Sequence, residues 1–427
     1  MTARAGHWSL RPWEPALLLG FAVFAVLYAF STHNLAHQLW ARDAVIGYVV
    51  GASALLALPA RRWLLTLAHG HLLVIVLLVV GTTVIPLARQ VVDGVANPEI
   101  PILTEAADRW LSVGTPFPTE AELASQGGGV NSYNVYLPLL AMFGLPSALF
   151  GRSPVTDPRI YLALVCFAIF LWLGRRASWL AALFVISPAV ALQLVSGGTD
   201  IPVLGFVLIG LVLAGRDRFG GAGVAMGIAA GFKVLAWPAV AIALILVRAR
   251  GGRRALARCA GIVAAVLVPV LGLPVLVDPA AFVVNAIKLP LGVLPVKLTA
   301  ESPLPGHLLS QEGPAGQLIG LVLLGGAALA IGAAALRRPP RDAAAAARWI
   351  ALGMLVAVLL APATRYGYLV YSIGLLLLPV LVGDVAVGER SAEQASFRSH
   401  ESVGGAEFAL LRAPALPDQG PDPGHSR

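Results

Sequence analysis

Two groups of residues in this sequence could do chemistry, and they differ in sign. Between residues 88 and 158 stand Asp93, Glu99, Glu105, Asp108, Glu120 and Glu122, in a chain otherwise sparing of charge. A carboxylate held beside a hydroxyl can take its proton as the oxygen attacks, so a general base belongs in such a cluster. The same composition also describes a solvated anionic loop, which is the ordinary reading for most of these side chains. The second group is basic. Lys233 sits alone in an apolar run, and Lys288 follows Asn285 closely. His307 ends Ser302-Pro303-Leu304-Pro305-Gly306-His307, and Arg365 lies in Pro362-Ala363-Thr364-Arg365-Tyr366-Gly367-Tyr368. Such cations suit a phosphate. Asp200, in Ser196-Gly197-Gly198-Thr199-Asp200-Ile201-Pro202, reads both as a helix N-cap ahead of a first-turn proline and as a site residue.

The elements that must position these residues are helices in lipid. The 427 residues are 58% hydrophobic and 12% charged, with a mean hydropathy of +0.81. Soluble domains carry about 25% charged residues, so this chain has a membrane as its solvent. About twelve apolar stretches, from Ala16–Phe30 to Tyr368–Val382, approach the roughly 20 residues that cross a hydrocarbon core. Between them lie Arg61-Arg62, Arg175-Arg176, Arg216-Asp217-Arg218, the cluster from Arg248 to Arg254, and Arg337-Arg338 with Arg341. Threading the spans puts every cluster on one side, which the positive-inside rule makes cytoplasmic together with both termini. Two long loops, Ala88 to Pro158 and Asp278 to Ala315, fall on the other side of a multi-pass cell-membrane protein. Within the first, Thr104–Leu111 reads as an amphipathic helix with Thr104 as N-cap and Gly114 as stop. Residues 1–384 form the transmembrane domain, and 385–427, polar and poor in apolar residues, read as a disordered cytoplasmic tail.

Two segments do not read as simple spans. Tyr133–Phe150 is apolar but broken by Pro138, Gly144 and Pro146, which suggests a re-entrant or interfacial helix. Phe219–Val247 has arginines at both ends and so crosses an even number of times, yet it is too short for two full spans. Two half-length helices would put Lys233 at their apex. Irregular backbone at that depth is tolerated where it lines a cavity, and an ionisable side chain there faces the bundle interior.

Other chemistries find no support. The sequence has no Walker loop, dinucleotide glycine fingerprint, zinc-type His/Glu motif or nucleophile elbow. Cys166 and Cys259 lie in apolar runs and read as small core residues. The net charge of +8 comes from the short clusters between spans, the pattern of topology signals rather than of a nucleic-acid surface. No cytoplasmic segment is large enough for an ATPase or a nucleotide-sugar transferase domain, so a sugar or phosphoryl donor would arrive in the membrane.

Six stretches in order resemble the actinobacterial polyprenol-phosphate-mannose-dependent alpha-mannosyltransferases of the glycosyltransferase C superfamily. They are Pro98–Glu105 with Gly114-Thr115-Pro116-Phe117, Tyr133–Pro138 with Phe143–Pro146, Gly197–Pro202, Gly227–Lys233, Ser302–His307 and Thr364–Tyr368. The resemblance implies an all-α fold of about twelve transmembrane helices plus a re-entrant or interfacial helix. It implies an inverting transfer of a sugar, mannose in that family, from a polyprenyl phosphate to a lipid-linked or glycan acceptor on the outer face. It further implies a base at Glu99 or Glu105, where the family more often has aspartate, and a donor phosphate on Lys233, His307 and Arg365. Lys288 adds to that basic group, with Asp200, Asn285 and Asp93 as further site residues. No metal and no cofactor beyond the donor lipid are expected. A lipid or solute transporter or flippase, and a non-catalytic membrane protein of the same fold, are the alternative readings.

Overall fold

A computed structural model describes residues 13–57, 67–173, 179–296 and 300–382. The N-terminal leader, Arg61-Arg62, Arg175-Arg176 and the tail from residue 385 lie outside the described residues. The described chain is helical, its β-pairing limited to one bridge between Glu301 and Thr364. Six of its helices are long and apolar enough to cross a membrane: Trp13–Ser31, Leu35–Ala57, Leu72–Val92, Val234–Val277, Pro314–Arg337 and Ala343–Leu360. Large apolar side chains such as Leu27, Ile46, Leu171, Leu318 and Leu329 face outward, as lipid allows and water does not.

The first layer pairs α1 (Trp13–Ser31) with α2 (Leu35–Ala57), and α2 crosses a long helix made of α3 (Leu67–Val79), a π turn (Val80–Val84) and α4 (Ile85–Val92). The π turn shifts the backbone ladder by one residue. The Thr82 carbonyl accepts instead from the Trp40 indole, Nε1 at 3.0 Å. Gly47 and Gly81 make the crossing possible, since a Cβ on Gly47 would lie 2.7 Å from the Gly81 carbonyl carbon.

The following loop is largely helical: α5 (Glu99–Val113), α6 (Glu120–Ser125), α7 (Pro138–Ala141) and α8 (Leu145–Phe150). Here the structure corrects the start of the loop helix. It begins at Glu99, not Thr104, because Pro98 takes the N-cap position and Pro101 lies in the first turn, where a missing N–H costs nothing. Thr104 is inside the helix with its hydroxyl on the Ile100 carbonyl at 3.1 Å, while Gly114, at φ 81°, is the stop that was expected.

Next come α9 (Pro158–Leu173), α10 (Trp179–Val185), α11 (Pro188–Ser196) and α12 (Asp200–Gly215). The stretch Trp179–Leu194 is thus two helices, broken where Pro188 has no N–H to donate. At the break the Ser187 Oγ donates to the Phe184 carbonyl at 2.7 Å, beside the Ser187 N–H at 3.1 Å, and the Tyr48 hydroxyl donates to that of Ile186 at 2.6 Å. The paired half-helices are α13 (Phe219–Phe232) and the start of α14 (Trp237–Val277), with Lys233 extended between them (φ −149°, ψ 142°). α14 runs on through Val277, kinked at Gly252, whose φ is 74°. The chain ends its described part with α15 (Pro279–Phe282), α16 (Pro305–Gln311), α17 (Pro314–Arg337), α18 (Ala343–Leu360), α19 (Leu369–Leu376) and α20 (Leu378–Val382).

Three of the basic segments meet at one end of this bundle. Arg250 donates to Asp217 at 2.9 Å and to the Arg341 carbonyl at 2.8 Å. α12 starts at Asp200 and finishes beside that cluster, and its 16 residues rise about 24 Å. The candidate site residues on α12, α13 and the loop after α18 therefore collect at the opposite end from the arginines.

Replacing Gly47 by leucine puts a side chain where the Gly81 backbone stands, and overpacking of this kind costs about 1–3 kcal/mol. Thermal unfolding in detergent is expected to shift down for Gly47→Leu. An unchanged midpoint would show that the two helices do not cross there.

Candidate active site

Glu99 owes its position to the residues just before it. Asn97 is buried, its N–H on the Ser196 carbonyl at 2.9 Å and its side chain held by Asn34 Nδ2 (2.9 Å), Ser196 Oγ (3.1 Å) and His37 Nε2 (3.2 Å). Arg159, 1% exposed, fixes the same turn from behind. It grips Asp157 through Nε (3.0 Å) and Nη2 (2.8 Å) and donates to the carbonyls of Val95 (2.6 Å) and Gln90 (3.3 Å). A buried guanidinium with a carboxylate and two carbonyls is a satisfied charge that ties the Glu99 turn to α9.

From this turn Glu99 faces a cavity of about 1330 Å³. Its Oε1 receives Arg365 Nη1 at 3.2 Å. Burial works against the Arg365 charge, but Tyr368 and Glu99 beside it hold its pKa above the usual guanidinium value. Across the same cavity Lys233 Nζ meets Asp200 Oδ1 at 2.6 Å, and the Tyr371 hydroxyl donates to that oxygen at 2.8 Å. The ammonium also stands 5.2 Å from the ring centre of Tyr136, a cation–π distance. Two carboxylates and two cations thus share one polar pocket, and each pair is close to neutral. Much of the remaining wall is apolar, with Leu17, Phe21, Phe184, Ile373 and Leu377.

The structure therefore brings together Glu99, Asp200, Lys233 and Arg365, drawn from elements far apart in the chain. It places the other candidates elsewhere. Glu105 is exposed one turn and a half along α5 and lines a separate cleft of about 30 Å³ with Arg109 and Asn134. Asp93 is exposed at the end of α4, and Lys288 is exposed beyond Asn285. His307 lies on α16 with Nδ1 against the Pro362 carbonyl and Nε2 against Gln311, each at 3.0 Å, outside the cavity lining. Asn285 is fully buried and holds loops: it accepts from Asn134 N–H at 3.0 Å and donates to the carbonyls of Pro118 (3.0 Å) and Ala281 (2.8 Å). Asp200 is not an N-cap; Thr199 occupies that position and the Asp200 carboxylate turns to Lys233. Glu122 is engaged at the loop surface. Burial acts to raise its pKa, but bonds from Thr119 and Arg109 bring it below the usual carboxylate value.

Sequence reading missed Tyr371 and Asn97. A tyrosine in an apolar span needs a partner for its hydroxyl, which was the signal available for Tyr371. Asn97 carried none, since an asparagine before a proline reads as a turn.

The family model for glycosyltransferase family 87 matches residues 134–370, more than half of the chain. The protein belongs to glycosyltransferase family 87. No curated protein and no solved structure matches it. The matched stretch of this multi-pass membrane glycosyltransferase carries Tyr136, Asp200, Lys233 and Arg365, while Glu99 and its Asn97 support precede it.

Removing the Arg159 guanidinium strips Asp157 of its two side-chain bonds and the Val95 carbonyl of its 2.6 Å donor, a loss of about 3–5 kcal/mol for a broken buried pair. Arg159→Met is expected to melt well below wild type in detergent. Arg159→Lys should not restore the midpoint, because an ammonium cannot reproduce the fork. Full recovery by lysine would show that charge alone holds the turn.

Proposed function

We propose that this glycosyltransferase takes its sugar, mannose by its resemblance, from a polyprenyl phosphate and passes it to a lipid-linked or glycan acceptor. The observation that carries the reading is the single cavity in which the Glu99, Arg365, Asp200 and Lys233 group opens onto apolar walls. A phosphate ester of a long hydrocarbon needs both parts: cations for the head and greasy walls for the tail. The tail groove is formed by α1, α10, α11, α19 and α20, with Val234 and Leu235 from the junction after Lys233. The site lies at the helix ends away from the arginine cluster, which by the positive-inside rule supports action on the outer face of the cell membrane. The paired short helices fit a glycosyltransferase C-like bundle of about twelve spans.

In this mechanism a Glu99 oxygen takes the proton of the acceptor hydroxyl while that hydroxyl's oxygen bonds to the anomeric carbon. The bond from that carbon to the phosphate oxygen breaks, and its electron pair leaves on the polyprenyl phosphate. Attack opposite the leaving group inverts the anomeric centre. Arg365 and Lys233 lie where they can hold the extra negative charge on the departing phosphate. Arg365 also pairs with Glu99, so it links the base to the leaving group. His307 and Lys288 lie outside the cavity lining and take no part in this reading. Metal and cofactor are not called for: the donor carries one phosphate, and two cations face it.

Transfer from a radiolabelled polyprenyl-phosphate sugar in membranes tests the reading. Glu99→Gln is expected to lose at least about 100-fold in kcat. Glu105→Gln should stay within about twofold, as an exposed side chain outside the cavity. Lys233→Met and Arg365→Met should each raise the donor KM by about 10- to 100-fold, the worth of a charge-assisted bond. No transfer by the wild type, or full transfer by Glu99→Gln, would overturn the proposal.

A further inference from the structure

The mechanism above leaves the second carboxylate of the cavity without a task. Asp200 is 12% exposed at its side chain, and both of its bonds fall on one oxygen. Oδ1 receives the Lys233 ammonium and the hydroxyl of Tyr371, itself fully buried. Two donors converging on one oxygen fix the plane of the carboxylate. Oδ2 has no hydrogen-bond partner among the described residues, and the residue lines the cavity. A carboxylate oxygen that is oriented and open accepts a hydroxyl strongly.

Resting on the polyprenyl-phosphate reading of this site, we propose that Asp200 accepts a hydrogen bond from the C2 hydroxyl of the sugar being transferred and so selects its configuration there. The position follows from Lys233. One of the three ammonium donors goes to Asp200, which leaves the others for a phosphate oxygen. That bond would be about 2.8 Å, which sets the phosphate and the carboxylate side by side on the same nitrogen. The phosphate is joined to the anomeric carbon, and the ring atoms next to it bear the ring oxygen on one side and the C2 hydroxyl on the other. The ring oxygen has no proton to give, so the group that can meet Oδ2 is the C2 hydroxyl. Axial and equatorial hydroxyls at C2 point in different directions, and a carboxylate locked by two donors follows only one of them. Hydrogen bonds to the C2 hydroxyl strengthen as the anomeric carbon gains positive character. The Asp200 contact therefore acts on the transition state as well as on binding.

The test uses the full-length protein in membranes and three synthetic short-chain prenyl phosphates, carrying mannose, glucose, or the 2-deoxy sugar that both share. Wild type is expected to favour one hydroxylated donor over the 2-deoxy donor by about 10- to 100-fold in kcat/KM. In Asp200→Ala that ratio should fall to within about threefold, and the preference between mannose and glucose should shrink with it. Tyr371→Phe, which frees the carboxylate to turn, should give an intermediate ratio. Glu105→Gln should keep the wild-type ratio. Where Asp200→Ala turns over too slowly, the same ratios are read as donor affinities on a Glu99→Gln background with and without Asp200→Ala. A wild-type ratio retained without Asp200 overturns the C2 assignment alone. A wild type that transfers from neither hydroxylated donor overturns the polyprenyl-phosphate reading and the assignment with it.

Discussion

Lys233 and Asp200 lie where a lone charge would cost several kcal/mol, and their contact is what the rest of the site is built around. For the ammonium to reach the carboxylate, α13 has to stop at Phe232 and the chain has to run extended for one residue. That break orphans backbone groups. The Phe232 carbonyl is taken by the Leu137 N–H at 3.0 Å, so the short helix α7 is docked as part of the same solution. On the other side, α12 begins at Asp200 itself, and α19 delivers Tyr371. One ion pair therefore sets the start of a helix, the end of another and the placement of two more.

Glu99 is held by a different principle. It stands at the first turn of a loop helix, and its support comes from the hydrogen bonds of the turn before it, with the Arg159–Asp157 pair behind. Asn97 and Arg159 hold the turn, and Arg365 reaches Glu99 at 3.2 Å from 266 residues away. A charge near neutral balance can change partners during a reaction. The Lys233–Asp200 pair is shorter and more buried than Glu99–Arg365, whose arginine side chain is 42% exposed. The fixed pair is suited to orienting, and the looser pair to proton chemistry.

How much of this could be read from the sequence depended on whether a signal was local. Lys233 was legible because a cation inside an apolar run between arginine clusters has few places to go. The break around it was legible from segment length. Asp200 was visible as a candidate, but its partner 33 residues away was not, since ion pairs across helices leave no spacing pattern. Glu99 and Glu105 were equally good as carboxylates. Telling them apart required knowing that the helix starts at Glu99 rather than at Thr104. His307 and Asn285 were singled out by residue type. The fold uses Asn285 to bond three backbone groups and sets His307 against the Pro362 carbonyl, uses that residue type alone does not reveal.

The length of α12 has a consequence for the water around the site. The helix rises about 24 Å, several ångströms short of the roughly 30 Å of hydrocarbon in a typical bilayer. Its arginine-flanked end stands on the headgroup side and the helix is buried by its neighbours rather than by lipid, so the shortfall leaves the Asp200 end below the opposite interface. In the proposed mechanism, the reacting carbon is then met beneath the plane of the surrounding headgroups. Bulk water is a rival acceptor for any activated sugar, and a site recessed in this manner admits an amphiphilic alcohol along the bilayer more readily than it admits the solvent above.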